Sequence, residues 1–534
     1  MFVDRDQDVV RPRARVFSAK RSKPEASSAT ATATAPAAAA AIVPFGERRR
    51  RRLAPFWEAP PPPPNTAFRE SLMAPVAPSL HHAPPPTLEG GQLENPTGKL
   101  CLLTALYAVQ GVPFALIIGT LPTLFATSVS DARIGVLSLG AWPFALKALF
   151  APLVDSYFSR KAWVIPCTLA SGALWLWLGH TIEALVLSRD TTSLAAALFA
   201  VVLLLAAQDV AVDIWALELL PARSRPYAPV CQTVGMGAGN LIAHPLLLLL
   251  SSSRLRDPPV LTLPRFLWLL GPIHAALALA AALQPEPERT RPRPSLRRTL
   301  ESLRAVAATP TTRRIGAACL LQRVGVAALD GCSLTQYMRL PGARQEHIAC
   351  LAALQAPVAL AAAVYAGRLV ARSDRPAPEA ARGQMRTGYL LLVASSVAVP
   401  ALLCTHRVGS AGSTAGLVVA TSVFLIANKL WWTAQGTLFN EAVVSPEGGP
   451  PRAAAASHLT LLNSLSNAGK MWPVPVALAV SDAVGYRAAS GTCALAGLAA
   501  LPLMWRLIEQ RRRSAEHQRT VEMGVEERAP LNPL

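Results

Sequence analysis

Asp209 and Asp213 lie four residues apart inside the apolar stretch Leu203–Leu219, LLLAAQDVAVDIWALEL, which also carries Gln208 and Glu218. On a helix this spacing stacks the two carboxylates on one face, about 6 Å apart along the axis. A carboxylate at the centre of a bilayer costs roughly 3 kcal/mol or more and persists only beside a cation or on a wet cavity. The chemistry such a pair offers is therefore binding and passage of charged solute through a membrane bundle.

Cations are available to meet it. Lys147, in GAWPFALKALFAPLVD, falls about as deep in its stretch as Asp209 does in its own, so a Lys147–Asp209 ion pair is geometrically allowed. Two roles fit that pair: fixing helix register, or lining a transport cavity. The second half of the chain adds Arg323, Asp330, Lys429 and Lys470. Counted from the membrane edges, Lys147, Arg323 and Lys429 fall in the cytosolic third. Asp330 and Lys470 fall nearer the outer face at matching depth, where they could neutralise each other. Three cations on a cavity suit an anionic substrate bearing phosphate or carboxylate groups. Snorkelling is the rival role for Arg323, near the inner edge, and for Lys429, which Trp431 and Trp432 follow in an interface-like cluster. Tyr107, Gln110, Gln232, Asn240, Asn463 and Asn467 are softer candidates, for bonds to substrate or between helices. Gly235, Gly237 and Gly239 are expected to let helices approach closely; they do not form G-x-G-x-x-G.

The elements that must position these groups are long apolar helices. The chain has 534 residues, 52% hydrophobic and only 16% charged, with net charge +19. Scarce charge and long apolar runs indicate a polytopic membrane protein. Arg clusters in the N-terminal tail and the loops, without a nucleic-acid-binding motif, so the basicity reads as topology and lipid contact, and no nucleic-acid partner is expected. Twelve apolar stretches lie near 100–127, 133–154, 162–180, 194–219, 228–250, 265–284, 314–338, 346–370, 387–405, 414–439, 454–480 and 486–508. Six and six about a basic linker suggest two repeated halves, as in many secondary transporters. The expected organisation is a disordered Pro/Ala/Arg-rich cytosolic tail (1–98), a six-helix bundle (99–284), a basic cytosolic linker (285–313), a second six-helix bundle (314–508) and a cytosolic tail (509–534). If the N-terminal tail is cytosolic, the inner loops carry about twice as many Lys and Arg as the outer ones, which puts both termini in the cytosol.

Other chemistries find no support. The eight cysteines stand singly with no C-x-x-C, so neither a zinc site nor a disulfide framework is expected. His180, His244, His274, His347, His406 and His458 are scattered, and no H-x-x-x-x-D pair or G-x-S-x-G elbow is present. No metal or other cofactor is expected. The arginine run Arg48–Arg52 could hold anionic lipid, act as a retention signal, or simply be solvated.

AVQGVPFAL, WPFALKALFAPLVD, AQDVAVDIWAL, RVGVAALD and TLLNSLSNAGKMWP, which recur in order over residues 100–508, together resemble the acetyl-coenzyme A transporter family of the major facilitator superfamily. The bacterial muropeptide permeases share part of the pattern. The resemblance implies an all-α membrane protein of twelve transmembrane helices in two pseudo-symmetric six-helix bundles. It also implies import of acetyl-coenzyme A from the cytosol into the endoplasmic reticulum lumen by alternating access. Carried over by motif, Lys147, Asp155, Asp209, Asp213, Arg323 and Asp330 occupy family positions, as do Asn463, Asn467, Trp472 and Pro473. Where Lys470 stands the family pattern has glycine. The loop holding Asp155, Arg160 and Lys161 resembles a degenerate form of the superfamily's loop between helices two and three, and would latch the halves in one state. The expectation is a carrier rather than an enzyme, moving acetyl-coenzyme A, with a permease for another anion (muropeptide-like compounds being one case) and a membrane-embedded acyltransferase as alternatives. Proton coupling and exchange for free coenzyme A both remain open.

Overall fold

The computed structural model describes residues 96–221, 224–285, 295–444 and 455–526. The expected disordered tail with its arginine run, most of it within 1–95, lies outside the described residues, as do loop residues Arg223 and Arg452, linker residues Arg289, Arg291 and Arg293, and the end of the C-terminal tail.

Lipid offers no partner for backbone N–H and C=O groups, so an apolar chain crossing it closes those bonds within helices. The described residues obey this and contain no strand. The first half comprises α1 (Thr97–Phe125), α2 (Asp131–Ser156), α3 (Arg160–Leu187), α4 (Thr191–Leu219), α5 (Ala228–Leu250) and α6 (Leu263–Ala282). A helix within the linker follows, α7 (Leu296–Ala308). The second half comprises α8 (Pro310–Met338), α9 (Gln345–Ala371), α10 (Ala377–Thr405), α11 (Ala411–Val444), α12 (Ala455–Met471), α13 (Pro473–Val484) and α14 (Tyr486–Glu526). Among the described residues, 11 helices are long and apolar enough to cross a membrane. The expected eleventh span, 454–480, is divided: α12 and α13 meet end to end at Trp472–Pro473, where proline removes a backbone donor.

The two halves repeat one packing plan. In the first, α1 packs on α5, and α3 packs on both α4 and α6. In the second, α8 packs on α12, and α10 packs on both α11 and α14. Glycine permits the closest of these approaches: a Cβ on Gly239 would lie 2.0 Å from the Ala108 carbonyl oxygen, and one on Gly235 2.4 Å from that of Thr104. Gly237, expected to share that role, has nothing within 4 Å of its Cβ position.

The bundles meet along α2 with α12 and α13, α1 with α8, and α5 with α9. At the end remote from the linker, Asp131 is 2% exposed. It accepts hydrogen bonds from Ser481 (2.7 Å), Gln336 (3.1 Å) and Thr335 (3.2 Å) and pairs with Arg339 at 2.8 Å. All four partners belong to the second bundle. Arg339 Nε also donates to the Ala126 carbonyl at 2.8 Å, Gln345 donates to the Leu248 carbonyl at 3.0 Å, and Ser252 donates to Glu346. That end is closed by a polar seam.

Candidate functional site

Two helix breaks build the site. In α2, Pro143 lies in a 3-10 stretch, Leu139–Phe144, and regular helix resumes only at Lys147. In an unbroken helix the Ala148 amide would donate to the Phe144 carbonyl. Instead Ala148 N donates to Ser464 Oγ at 3.0 Å, and the Phe144 carbonyl accepts from Asn467 Nδ2 at 3.4 Å. The split backbone bond is thus completed by α12 of the other bundle. In α8 the break falls at Arg323, followed by a 3-10 turn, Val324–Val326. Breaks of this kind are tolerated at membrane depth only where protein or a cavity supplies partners.

Between the bundles lies a cavity of ≈ 700 Å³, lined among others by Lys147, Asp209, Asp213, Arg323, Asp330 and Lys470. This lies within the range typical of organic-ligand sites. Asn463, Asn467, Gln232 and Trp432 also face it. Lys147 Nζ bonds Asp209, as depth counting anticipated, and sits 5.1 Å from the Phe144 ring centroid. Asp213 accepts from Tyr107 Oη at 2.7 Å and from Gln232 Nε2 at 3.2 Å. Tyr107 is buried and reaches the site through that bond.

The expected Asp330–Lys470 pair does not form. Asp330 instead takes Arg323 in a forked contact, Nε–Oδ2 at 3.0 Å and Nη2–Oδ1 at 2.6 Å, and Arg323 Nη1 donates to Asn428. An arginine side chain is long enough to span the two turns between these residues, and its planar fork matches a carboxylate better than a more distant ammonium does. Lys470 is held by weaker groups: its Nζ lies 3.5 Å from the Trp432 ring centroid and 3.5 Å from Asn467 Oδ1. Gln110 and Lys429 are not among the lining residues. Gln110 is fully buried and donates to Gln208 Oε1 at 3.1 Å, an interhelical role; Gln208 in turn donates to Thr168.

A matching network in the second bundle carries no obvious mark in sequence. Gln322, next to Arg323, accepts from Trp431 Nε1 (3.0 Å) and Gln435 Nε2 (2.8 Å) and donates to the Ser466 carbonyl (2.9 Å). Each bundle therefore places a buried glutamine beside the charged residue that faces the cavity. A half-satisfied network would be costly there, so these amides fix the helices that aim Asp209 and Arg323.

At the start of α3, Arg160 donates to the Val154 carbonyl (2.7 Å), contacts Asp155 (3.3 Å) and lies 3.9 Å from Glu218 of α4. Lys161 Nζ caps the end of α6 through the Ala282 and Gln284 carbonyls, both at 2.7 Å. Ser156 lies 3.5 Å from Thr299 of α7, hydroxyl to hydroxyl, so this end of the first bundle touches the linker helix.

Known proteins share the overall fold. A bacterial homologue of the human lysosomal transporter Spinster superposes with a TM-score of 0.55 at 18% identity, covering 78% of this chain and 98% of its own. A D-xylose–proton symporter gives 0.58 at 12% identity, covering 77% and 97%. The chain has the major facilitator fold. Residues 99–265 match the family model described as acetyl-coenzyme A transporter 1, the family that the motifs resemble. An uncharacterised protein of Schizosaccharomyces pombe is 25% identical over 404 residues, spanning 72% of this chain and 74% of its own length. The anhydromuropeptide permease of Escherichia coli is 28% identical over 212 residues, 38% of this chain and 40% of its own. With 11 helices long and apolar enough to cross a membrane among the described residues, the chain has the architecture of a multi-pass membrane protein.

Proposed function

We propose that the chain carries acetyl-coenzyme A from the cytosol into the endoplasmic reticulum lumen by alternating access. The observation that carries the reading is the inter-bundle cavity, whose walls present Lys147, Arg323 and Lys470 from both halves of a chain whose residues 99–265 match the acetyl-coenzyme A transporter model. Coenzyme A bears a pyrophosphate and a ribose phosphate, and several cations must replace the water those groups lose on entry. Lys147 and Arg323 are each neutralised by a carboxylate at rest. Substrate phosphates compete for them, and breaking those pairs links occupancy to helix movement. Asp155, Arg160 and Lys161 would steady the linker end, and the Asp131 seam would open at the far end.

Purified protein in liposomes should take up labelled acetyl-coenzyme A, with the label recovered as intact acetyl-coenzyme A inside. Absence of uptake under a proton gradient and under internal coenzyme A would refute the reading. A second reading, a permease for muropeptide-like anions, is favoured by the Escherichia coli relative. Inhibition of uptake by excess anhydromuropeptide, without inhibition by coenzyme A, would select it.

A further inference from the structure

Three cations line the cavity, and they are not equivalent. Lys147 is bonded to Asp209, and Arg323 is doubly bonded to Asp330. Lys470 has no carboxylate within 4 Å among the described residues. Its ammonium rests over the Trp432 ring and beside Asn467 Oδ1, each at 3.5 Å. Both are neutral. A ring face and an amide oxygen orient an ammonium, but they leave its charge unneutralised.

Placement adds to this. Asn463, Asn467 and Lys470 follow one another at i, i+4 and i+7 along α12, so they share one helix face, and all three line the cavity with Trp432 opposite on α11. The two asparagines bring amide N–H donors to the same wall; Asn467 spends one on the Phe144 carbonyl. A cation with no carboxylate partner, flanked by amide donors and facing the cavity, is a seat for a tetrahedral oxyanion. An incoming anion must break an ion pair to reach Lys147 or Arg323; at Lys470 it meets no competitor.

We propose that Lys470 is the first docking point for a phosphate group of the cargo and sets the chain's preference for phosphorylated anions, with Trp432 holding the lysine in place and Asn463 supplying further hydrogen bonds. This deepens the proposed reading by naming the chemical group recognised, yet the seat itself requires only the cavity.

The test uses the purified full-length protein and inorganic pyrophosphate as probe, with binding followed by thermal shift. Wild type should be stabilised by pyrophosphate. Lys470→Gln should weaken that binding roughly 10-fold or more, the scale of one lost charge-assisted hydrogen bond. Lys470→Arg should stay within about 3-fold of wild type, because it keeps the charge. Should the Gln variant aggregate, Lys470→Met carries the same expectation. Pyrophosphate binding unaltered in the Gln or Met variant overturns the proposal, as does failure of wild type to bind pyrophosphate. Uptake of acetyl-coenzyme A by the same preparations separates the two claims. If wild type takes up none while pyrophosphate binding still depends on Lys470, the cargo assignment falls and the phosphate seat stands.

Discussion

Replacing Asp131 with alanine should loosen the end of the molecule remote from the linker without unfolding either bundle. The carboxylate is buried, and its four partners, Thr335 and Gln336 on α8, Arg339 just past its end and Ser481 on α13, belong to the other bundle. Breaking a buried ion pair by removing one partner typically costs about 3–5 kcal/mol, chiefly because the other charge is stranded. Here the Arg339 side chain is 31% exposed and keeps its bond to the Ala126 carbonyl, so water and backbone recover part of that cost. A net loss of about 2 kcal/mol is the reasonable scale. Because donors and acceptor sit on opposite bundles, the loss falls on the state in which this end is closed. About 2 kcal/mol moves a two-state population by roughly 30-fold. Spin labels at Arg133, on α2, and Arg344, before α9, straddle the seam, and pulsed dipolar distances between them report its opening. Asp131→Ala should add or enlarge a long-distance population, with Asp131→Asn intermediate. A distance distribution identical to that of the Asp131 parent, in protein that still folds, would refute the assignment of this seam as a closure.

Two further outcomes follow from the geometry. Lys147→Ala strands Asp209, which is 1% exposed, so it should lower stability by about 3–5 kcal/mol and abolish uptake; the double variant Lys147→Ala with Asp209→Ala should regain most of the stability and none of the uptake. Thermal unfolding and uptake of the three proteins check this. Gly239→Ala would put a Cβ 2.0 Å from the Ala108 carbonyl oxygen, forcing α1 and α5 apart, and should cost about 1–3 kcal/mol in a detergent melt, whereas Gly237→Ala should be close to neutral.

Most of the fold was legible because lipid narrows the choice to helices, and a helix of known rise can be counted from apolar length alone. The span that resists counting is α12–α13, where Asn463, Asn467 and Lys470 lower the hydropathy and Trp472–Pro473 divides the helix. The Lys147–Asp209 pair was legible because both residues lie about as far from the same membrane edge. Asp330 was misassigned to Lys470 because depth counting ignores side-chain reach; the guanidinium of Arg323 extends along its own helix to Asp330. Asp131 and Arg339 carry no mark in the sequence, since their meaning depends on how the two bundles dock. The Phe144–Ala148 clasp involves backbone groups, and only Pro143 hints that they are free.

The central claim is that charged groups facing one inter-bundle chamber carry a phosphorylated thioester across the membrane. Counterflow of labelled acetyl-coenzyme A into liposomes preloaded with unlabelled coenzyme A or acetyl-coenzyme A, compared for wild type and Arg323→Gln, tests it most directly. Saturable accumulation by wild type that Arg323→Gln reduces at least roughly 10-fold is the expected result. Equal accumulation by both proteins, or none above protein-free liposomes by wild type, would contradict it.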